Sequence, residues 1–449
     1  MLLSCIAVFL IATPLLVAYS MGYRFDFETN KIVATGGIYI RTFPTADGIA
    51  VDSGALEKPG LFSNSVFVQN LMPKQHFVLI KKDGYFDYQK TLLVKENEVT
   101  KIENVNLFKT SLKFDQVSES ANSFSISPDG KNILVEATNT KSLDFYYYQA
   151  SSLKDPKEYS FPAPYATILD FIWAQDSSKV LLKVQNSSKA IVYYLLDFSA
   201  KTQQTTPLSY FASTTISDIS FNPQDSRQFF YINNKTLNLL KDKKITPLLK
   251  DVTSYKINGD KIIWLSTTGA LSQSDFLAKT TQTLLEGLQN YKIEIISGRI
   301  MLSGPDFVYE YLQQEKTLKS LGQIPSGFKL LQSPNGKNVI YYNNSEIYIY
   351  SFEPEIETEE NGAKLFSANK GEQISKCFWL NDNYIIFQLG AKIIISEIDF
   401  RGNINSVEMP QNYPPSPDSR TPRFIFNQQD SKAYILTQNF LYSSEKLTP

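Results

Sequence analysis

The sequence predicts an all-β protein built from an apolar N-terminal helix, a small β-sandwich and a β-propeller. Three observations point there. Aromatic residues make up 13% of the chain, with 26 Tyr and 30 Phe, and they recur beside Ile and Val, the company that pleated strands prefer. A unit of apolar strand, polar turn and second apolar strand recurs from residue 110 onward. The length of 449 residues is about three times that of a usual single domain, which calls for several domains or one large repeat array.

The N-terminal segment comes first. From Leu2 to Tyr23 no side chain is charged, and these 22 residues, as a helix, reach about 33 Å, enough to cross a hydrocarbon core. Residues 1–23 are therefore expected to be a transmembrane anchor. Tyr19, Tyr23 and Phe25 stand where an interfacial aromatic belt lies, and Arg24, Asp26 and Glu28 mark the return to water. Pro14 kinks such a helix without preventing insertion. The competing reading is a cleaved signal, because Ala18-Tyr19-Ser20 offers small residues at peptidase spacing. Leu2-Leu3-Ser4-Cys5 has the pattern of a lipobox but no apolar region ahead of it. A single N-terminal span before a large polar region places the chain in the cell membrane as a single-pass protein, with its bulk extracytoplasmic.

Residues 24–36 read as a linker. Gly37-Ile38-Tyr39-Ile40-Arg41-Thr42-Phe43-Pro44 then alternates with the strand period and stops at proline. Ile49–Asp52, Ser65–Val68 and Phe77–Lys82 come next as strands, the last ending in the turn dipeptide Asp83-Gly84. Tyr85–Val94 and Val99–Leu107 complete a two-sheet sandwich. The opening Gly37-Gly-Ile-Tyr-Ile, Pro44, Asn70-Leu71-Met72-Pro73 and Lys81-Lys82-Asp83-Gly84-Tyr85 stand in the order of the PEGA domain family, which residues 37–108 resemble. Thr45-Ala46-Asp47 stands where that family has Glu-Gly-Ala. The resemblance implies interaction or spacer duty on a bacterial or archaeal surface protein. Tyr85 and Phe86 read as core or edge packing, and His76 as a turn or strand-edge residue.

Residues 110–449 carry eight copies of the repeat, with turns near residues 129, 176, 225, 259, 298, 335, 382 and 430, spaced 34 to 49 residues apart. That is close to one four-stranded propeller blade per copy, giving eight blades, with seven as the alternative because the middle intervals are short. The Ser127-Pro-Asp-Gly-Lys131 turn resembles the repeat of TolB-like and WD-repeat-like propellers, although no Trp-Asp pair ends a blade. Pro-Asp-Gly and Asn-Gly supply the backbone angles that a hairpin needs, so Asp129, Asp176 and Asp225 read as turn residues rather than a cation site. Trp173, Trp264 and Trp379 read as blade-to-blade packing rather than a sugar platform. The last copy has three strands, and Leu112–Val117, ahead of the first copy, is a free strand able to complete it.

The inventory excludes much chemistry. With one histidine, His76, and two cysteines, Cys5 and Cys377, a zinc cage, a Cys-His nucleophile or a Ser-His-Asp triad has too few parts. No phosphate loop, nucleophile elbow or dinucleotide fingerprint is present. The acidic run at 353–360 reads as a solvated loop between blades, without the spaced oxygens and glycine of a Ca²⁺ loop. Lys+Arg 44 against Asp+Glu 45, a net charge of -1, gives no basic excess for nucleic acid. No catalytic, cofactor-binding or metal residue is nominated, and no cofactor. The expectation is a non-enzymatic, membrane-anchored envelope protein that binds or scaffolds an envelope protein or polysaccharide through the propeller. The alternative is a glycosidase-like hydrolase with a carboxylate pair in the central funnel.

Overall fold

A computed structural model describes residues 2–60, 63–137, 139–163, 166–201, 207–211, 216–304, 307–323, 328–352, 362–413 and 422–448. The chain begins with one helix, α1 (Leu2–Ser20), of 19 residues including Pro14. It ends sooner than the uncharged run does. Met21-Gly22 turns the chain, with Gly22 at φ 88°, and Tyr23 already belongs to a strand. At 1.5 Å per residue the helix reaches about 28 Å rather than the expected 33 Å. Among the described residues no helix is long and apolar enough to cross a membrane, and α1 covers Leu2–Ser20 of the expected Leu2–Tyr23 run.

The segment read as an extended linker folds back on itself. Strand β1 (Tyr23–Asp26) pairs antiparallel with β2 (Lys31–Ala34). Asp26 fixes the turn by accepting hydrogen bonds from the Glu28 N–H at 2.9 Å and the Thr29 hydroxyl at 2.6 Å, an Asx arrangement that sequence alternation does not reveal.

Six strands make the sandwich: β3 (Gly36–Phe43), β4 (Gly48–Val51), β5 (Ser65–Leu71), β6 (Gln75–Lys81), β7 (Tyr88–Leu93) and β8 (Val99–Asn106). One sheet has the order β5-β3-β8, with β3 and β8 parallel, and the other β4-β6-β7. Alternation puts Ile38, Ile40, Ile49, Val78, Ile80 and Leu92 into the core between them. His76 is inside rather than at an edge. Its Nδ1 lies 2.7 Å from Asp52 Oδ2 and its Nε2 2.7 Å from the Met72 carbonyl.

From residue 123 onward eight antiparallel sheets follow one another, among the described residues seven of four strands and one, Thr167–Asp197, of three. The inner strands are Ser123–Ile126, Thr167–Trp173, Ile216–Asn222, Val252–Asn258, Lys292–Ile296, Lys329–Gln332, Ile374–Asn381 and Arg423–Asn427. Each begins its sheet order, and the inner strands from Val252–Asn258 round to Arg423–Asn427 are successive neighbours where sheet faces sheet, as are Thr167–Trp173 and Ile216–Asn222, which is β-propeller geometry. The second strands lie between sheets on both faces and so carry central apolar runs. Tyr384–Leu389, for example, is buried at every position. The last sheet takes its fourth strand from β9 (Phe114–Ser118), which pairs with Phe440–Ser444 and joins the two ends of the ring.

All eight sequence turns fall between the first and second strands of a sheet, and they do more than reverse the chain. The Asp129 N–H donates to Ser177 Oγ, Ser178 meets Ser226, and the Asn258 side chain donates to the Gly298 carbonyl. Ser297 donates to the Gly336 carbonyl, the Asn335 N–H to Asp382, and Gln428 to the Trp379 carbonyl. Asn427 donates to the Gly130 carbonyl at 2.8 Å, linking the turn of the last sheet to that of the first. Gly130, at φ 68°, lies so close to Asn427 and Gln429 that a Cβ there would meet both at 2.5 Å.

Candidate functional site

Two places gather charged side chains, and they differ in kind. The first is the junction of sandwich and ring. Alternation on β7 sets Tyr88, Lys90 and Leu92 on the face turned inward, so a lysine enters the interior and must find a counter-charge. Lys90 Nζ lies 2.5 Å from Glu397 Oε1 and donates to the carbonyls of Asp399 at 2.8 Å and Asn403 at 3.1 Å. The Tyr88 hydroxyl donates to Glu397 Oε2 at 2.9 Å, and the Asn405 N–H to Glu397 Oε1 at 2.8 Å. Burial pushes the Glu397 carboxyl above its usual range against the pull of Lys90. At Asp399 burial is outweighed by the Arg401 guanidinium and Lys90, which hold that carboxyl below it. Asn403 and Asn405 bind the free edge of β7: Asn403 donates to the Gln89 carbonyl at 2.7 Å and accepts from the Thr91 N–H at 2.8 Å, and Asn405 also donates to Gln89. Every charge here has a partner. Beside it lies a cleft of about 320 Å³ with mainly apolar walls, including Tyr85, Phe86, Phe108, Val407 and Met409, and the Lys109–Glu445 ion pair at its side.

The second place is the wall of the axial channel. Lys292, Lys329, Lys376 and Arg423 stand on the inner strands of four consecutive sheets, all exposed. Each is the fourth or fifth rung from its hairpin turn, paired with Ser303, Tyr342, Gln388 and Leu436, so they occupy one level of the ring. None of the four has a carboxylate within 4.0 Å among the described residues. Solvent reaches Lys376, but surrounding strands desolvate it, and burial followed by Lys329 and Arg423 pushes its pKa down. Asp170, on the same rung of the second sheet, pulls the other way from across the channel. Asp218, exposed at the bulge of the third inner strand with φ 48°, extends that acidic side. The backbones are held firmly. Gln388 accepts from Ser375 Oγ at 3.0 Å and donates to the Pro422 carbonyl at 2.7 Å, tying the strand that bears Lys376 to the residue before Arg423. Behind the wall, Glu136 accepts from Ser123 Oγ; burial raises its carboxyl, with Ser123 and Arg423 opposing.

The residues singled out in the sequence fall elsewhere. Asp129, Asp176 and Asp225 accept hydrogen bonds within their own turns, from Ser127 and Lys131, from Ser178, and from Arg227 and Gln228 respectively. Trp173 Nε1 donates to Ser125 and Trp379 Nε1 to the Leu331 carbonyl, each on the preceding sheet, whereas Trp264 donates to Ser274 of its own sheet. Cys377 is a free, buried thiol whose pKa burial pushes up. The acidic run at 353–360 lies outside the described residues. Among the described residues no three His, Cys, Asp or Glu side chains form a group that could hold a metal. The channel cations were missed because each is one basic residue in a mostly apolar strand, spaced 37 to 47 positions apart. Aligning the copies on their turns would have brought them together.

No family model matches the chain, and none of the curated proteins is similar to it. The PEGA resemblance therefore rests on the residues that carry it. Solved structures similar to this chain include Hsv2 of Kluyveromyces lactis, at 11% identity and a TM-score of 0.44 over 65% of this chain and 100% of that one. The Dos1 propeller is similar at 10% and 0.48 over 74% and 94%, and an oligogalacturonate lyase in complex with manganese at 14% and 0.41 over 75% and 96%. Likeness at this level carries nothing about activity. The ring is read from the strand order and linked turns of this chain itself.

Proposed function

We propose that the chain is a non-catalytic binding protein, an eight-bladed propeller that seats a macromolecular partner of the cell envelope, with the sandwich as a rigid spacer and α1 holding the assembly to a membrane. The observation that carries the binding reading is the arc of channel cations that have no ion-pair partner among the described residues. Four like charges on one rung repel one another, and a fold keeps such an arrangement at a cost that a ligand offsets. The membrane reading is supported by α1 itself: Phe9, Leu10, Ile11, Leu15 and Leu16 are each more than 60% exposed, and no charged side chain interrupts them. The order of a short apolar segment followed by a large polar region supports putting the ring on the outer side.

The binding reading is tested with the full chain in detergent, immobilised and exposed to envelope extract. The expected result is a retained partner that the triple variant Lys329→Gln, Lys376→Gln, Arg423→Gln loses, with no turnover of glycoside or peptide libraries. Turnover that disappears in Asp170→Asn or Asp218→Asn would favour the hydrolase, since those two carboxylates stand on adjacent inner strands. For the membrane reading, carbonate-washed membranes should keep the wild type and release Leu10→Asp, Leu16→Asp. Equal release of both would reject the anchor.

A further inference from the structure

We propose that the axial channel recognises a polypeptide segment carrying both signs of charge, its carboxylates set against Lys292, Lys329, Lys376 and Arg423 and its ammonium groups against Asp170 and Asp218. This deepens the binding reading above and rests on it. The arc is available for a ligand because it fastens nothing: its four cations make no ion pair among the described residues, while the equally charged junction pairs every member. Lys329 does lie over the Tyr342 ring, 5.7 Å from its centroid, which steadies the ammonium without neutralising it.

The opposite side of the channel decides between ligand classes. A nucleic acid or polyuronate is negative throughout and would be repelled by Asp170 and Asp218, whereas a peptide can place opposite charges on its two faces. The backbone favours the same choice. Each inner strand is hydrogen-bonded within its sheet on one side only, so its other edge offers N–H and C=O groups toward the channel, and a peptide backbone can meet them as an added strand does.

The test uses the full chain in detergent and a fluorescein-labelled twelve-residue peptide of repeating Glu-Glu-Lys, read by anisotropy. Saturable binding that weakens with salt is expected. The triple variant Lys329→Gln, Lys376→Gln, Arg423→Gln should weaken it about tenfold or more, the loss of at least one charge-assisted contact. Asp170→Asn with Asp218→Asn should weaken this peptide yet strengthen binding of an all-Glu peptide. Lys157→Gln with Lys244→Gln, on outer strands, should change nothing. A melting curve accompanies each variant, and removal of a desolvated cation should raise the melting temperature, so loss of binding would not be loss of fold. Absence of peptide binding, binding untouched by the triple variant, or tighter binding of polygalacturonate or duplex DNA would each overturn the assignment. Should the envelope partner still be retained by the triple variant, the binding reading stands and the channel assignment falls.

Discussion

The sandwich–ring junction and the channel wall use the same residue types to opposite ends. At the junction, Lys90 is fully buried and Glu397 nearly so, and each ionised atom meets a counter-charge, a carbonyl or an N–H. In the channel, Lys376 and its neighbours are open to solvent and have no ion-pair partner among the described residues. A buried charge survives only if it is compensated inside the molecule, so the junction is a fastening. A solvated charge can wait for compensation from outside, which is why the channel is proposed as a docking place. Exposure alone would not separate these roles; the presence or absence of a partner does.

That comparison can be broken most forcefully at Lys90. Lys90→Met strands the Glu397 carboxylate and should cost about 3–5 kcal/mol in urea unfolding, with part of the loss recovered by adding Glu397→Leu. A loss below about 1 kcal/mol would show that water compensates Glu397 and that the junction is no fastening. Asn403→Ala comes next. It leaves the Thr91 N–H and the Gln89 carbonyl without that partner and should cost about 1–2 kcal/mol, visible also as faster amide exchange along β7.

Asp52→Asn sharpens the comparison inside the sandwich. At Asp52 burial is outweighed by the Phe77 N–H and His76, which hold its folded pKa below the ordinary 3.8. The stability it contributes is present above pH 3.8 and is lost as pH falls through the lowered folded value. The variant should melt lower than the wild type at pH 7, with the gap closing on acidification. A gap that stays constant to pH 2 would remove the carboxylate from the account.

The smallest effect belongs to the channel and has the opposite sign. Lys376 has a folded pKa below the ordinary 10.5, so the unfolded chain holds more protons and stability rises as pH climbs through that window. Lys376→Gln should therefore melt slightly higher at pH 7, with the gain fading as pH passes about 10.5. A stabilising change that weakens peptide binding is the signature of a residue kept for function. Destabilisation instead would make Lys376 structural, like Lys90.

The sequence by itself determined the all-β class, the six sandwich strands to within a few residues, the eight turns and the strand that closes the ring. These are local: strand alternation, Pro-Asp-Gly turns and apolar pairs of strands are written within a dozen residues of chain. Tertiary structure alone decided three other things. The hairpin of β1 and β2 hangs on Asp26 bonds that leave no alternation to read. His76, read as an edge residue, became interior because Asp52 and Met72 arrived on either side of it. Lys90 found its counter-charge in Glu397 only when the sandwich packed against the ring, and Lys376 its neighbours in Lys329 and Arg423 only when successive sheets brought their inner strands to one axis. Local spacing fixes which face of a strand a side chain takes, but whether a charge on that face is paired or left open depends on elements that sequence distance keeps apart until the chain has folded.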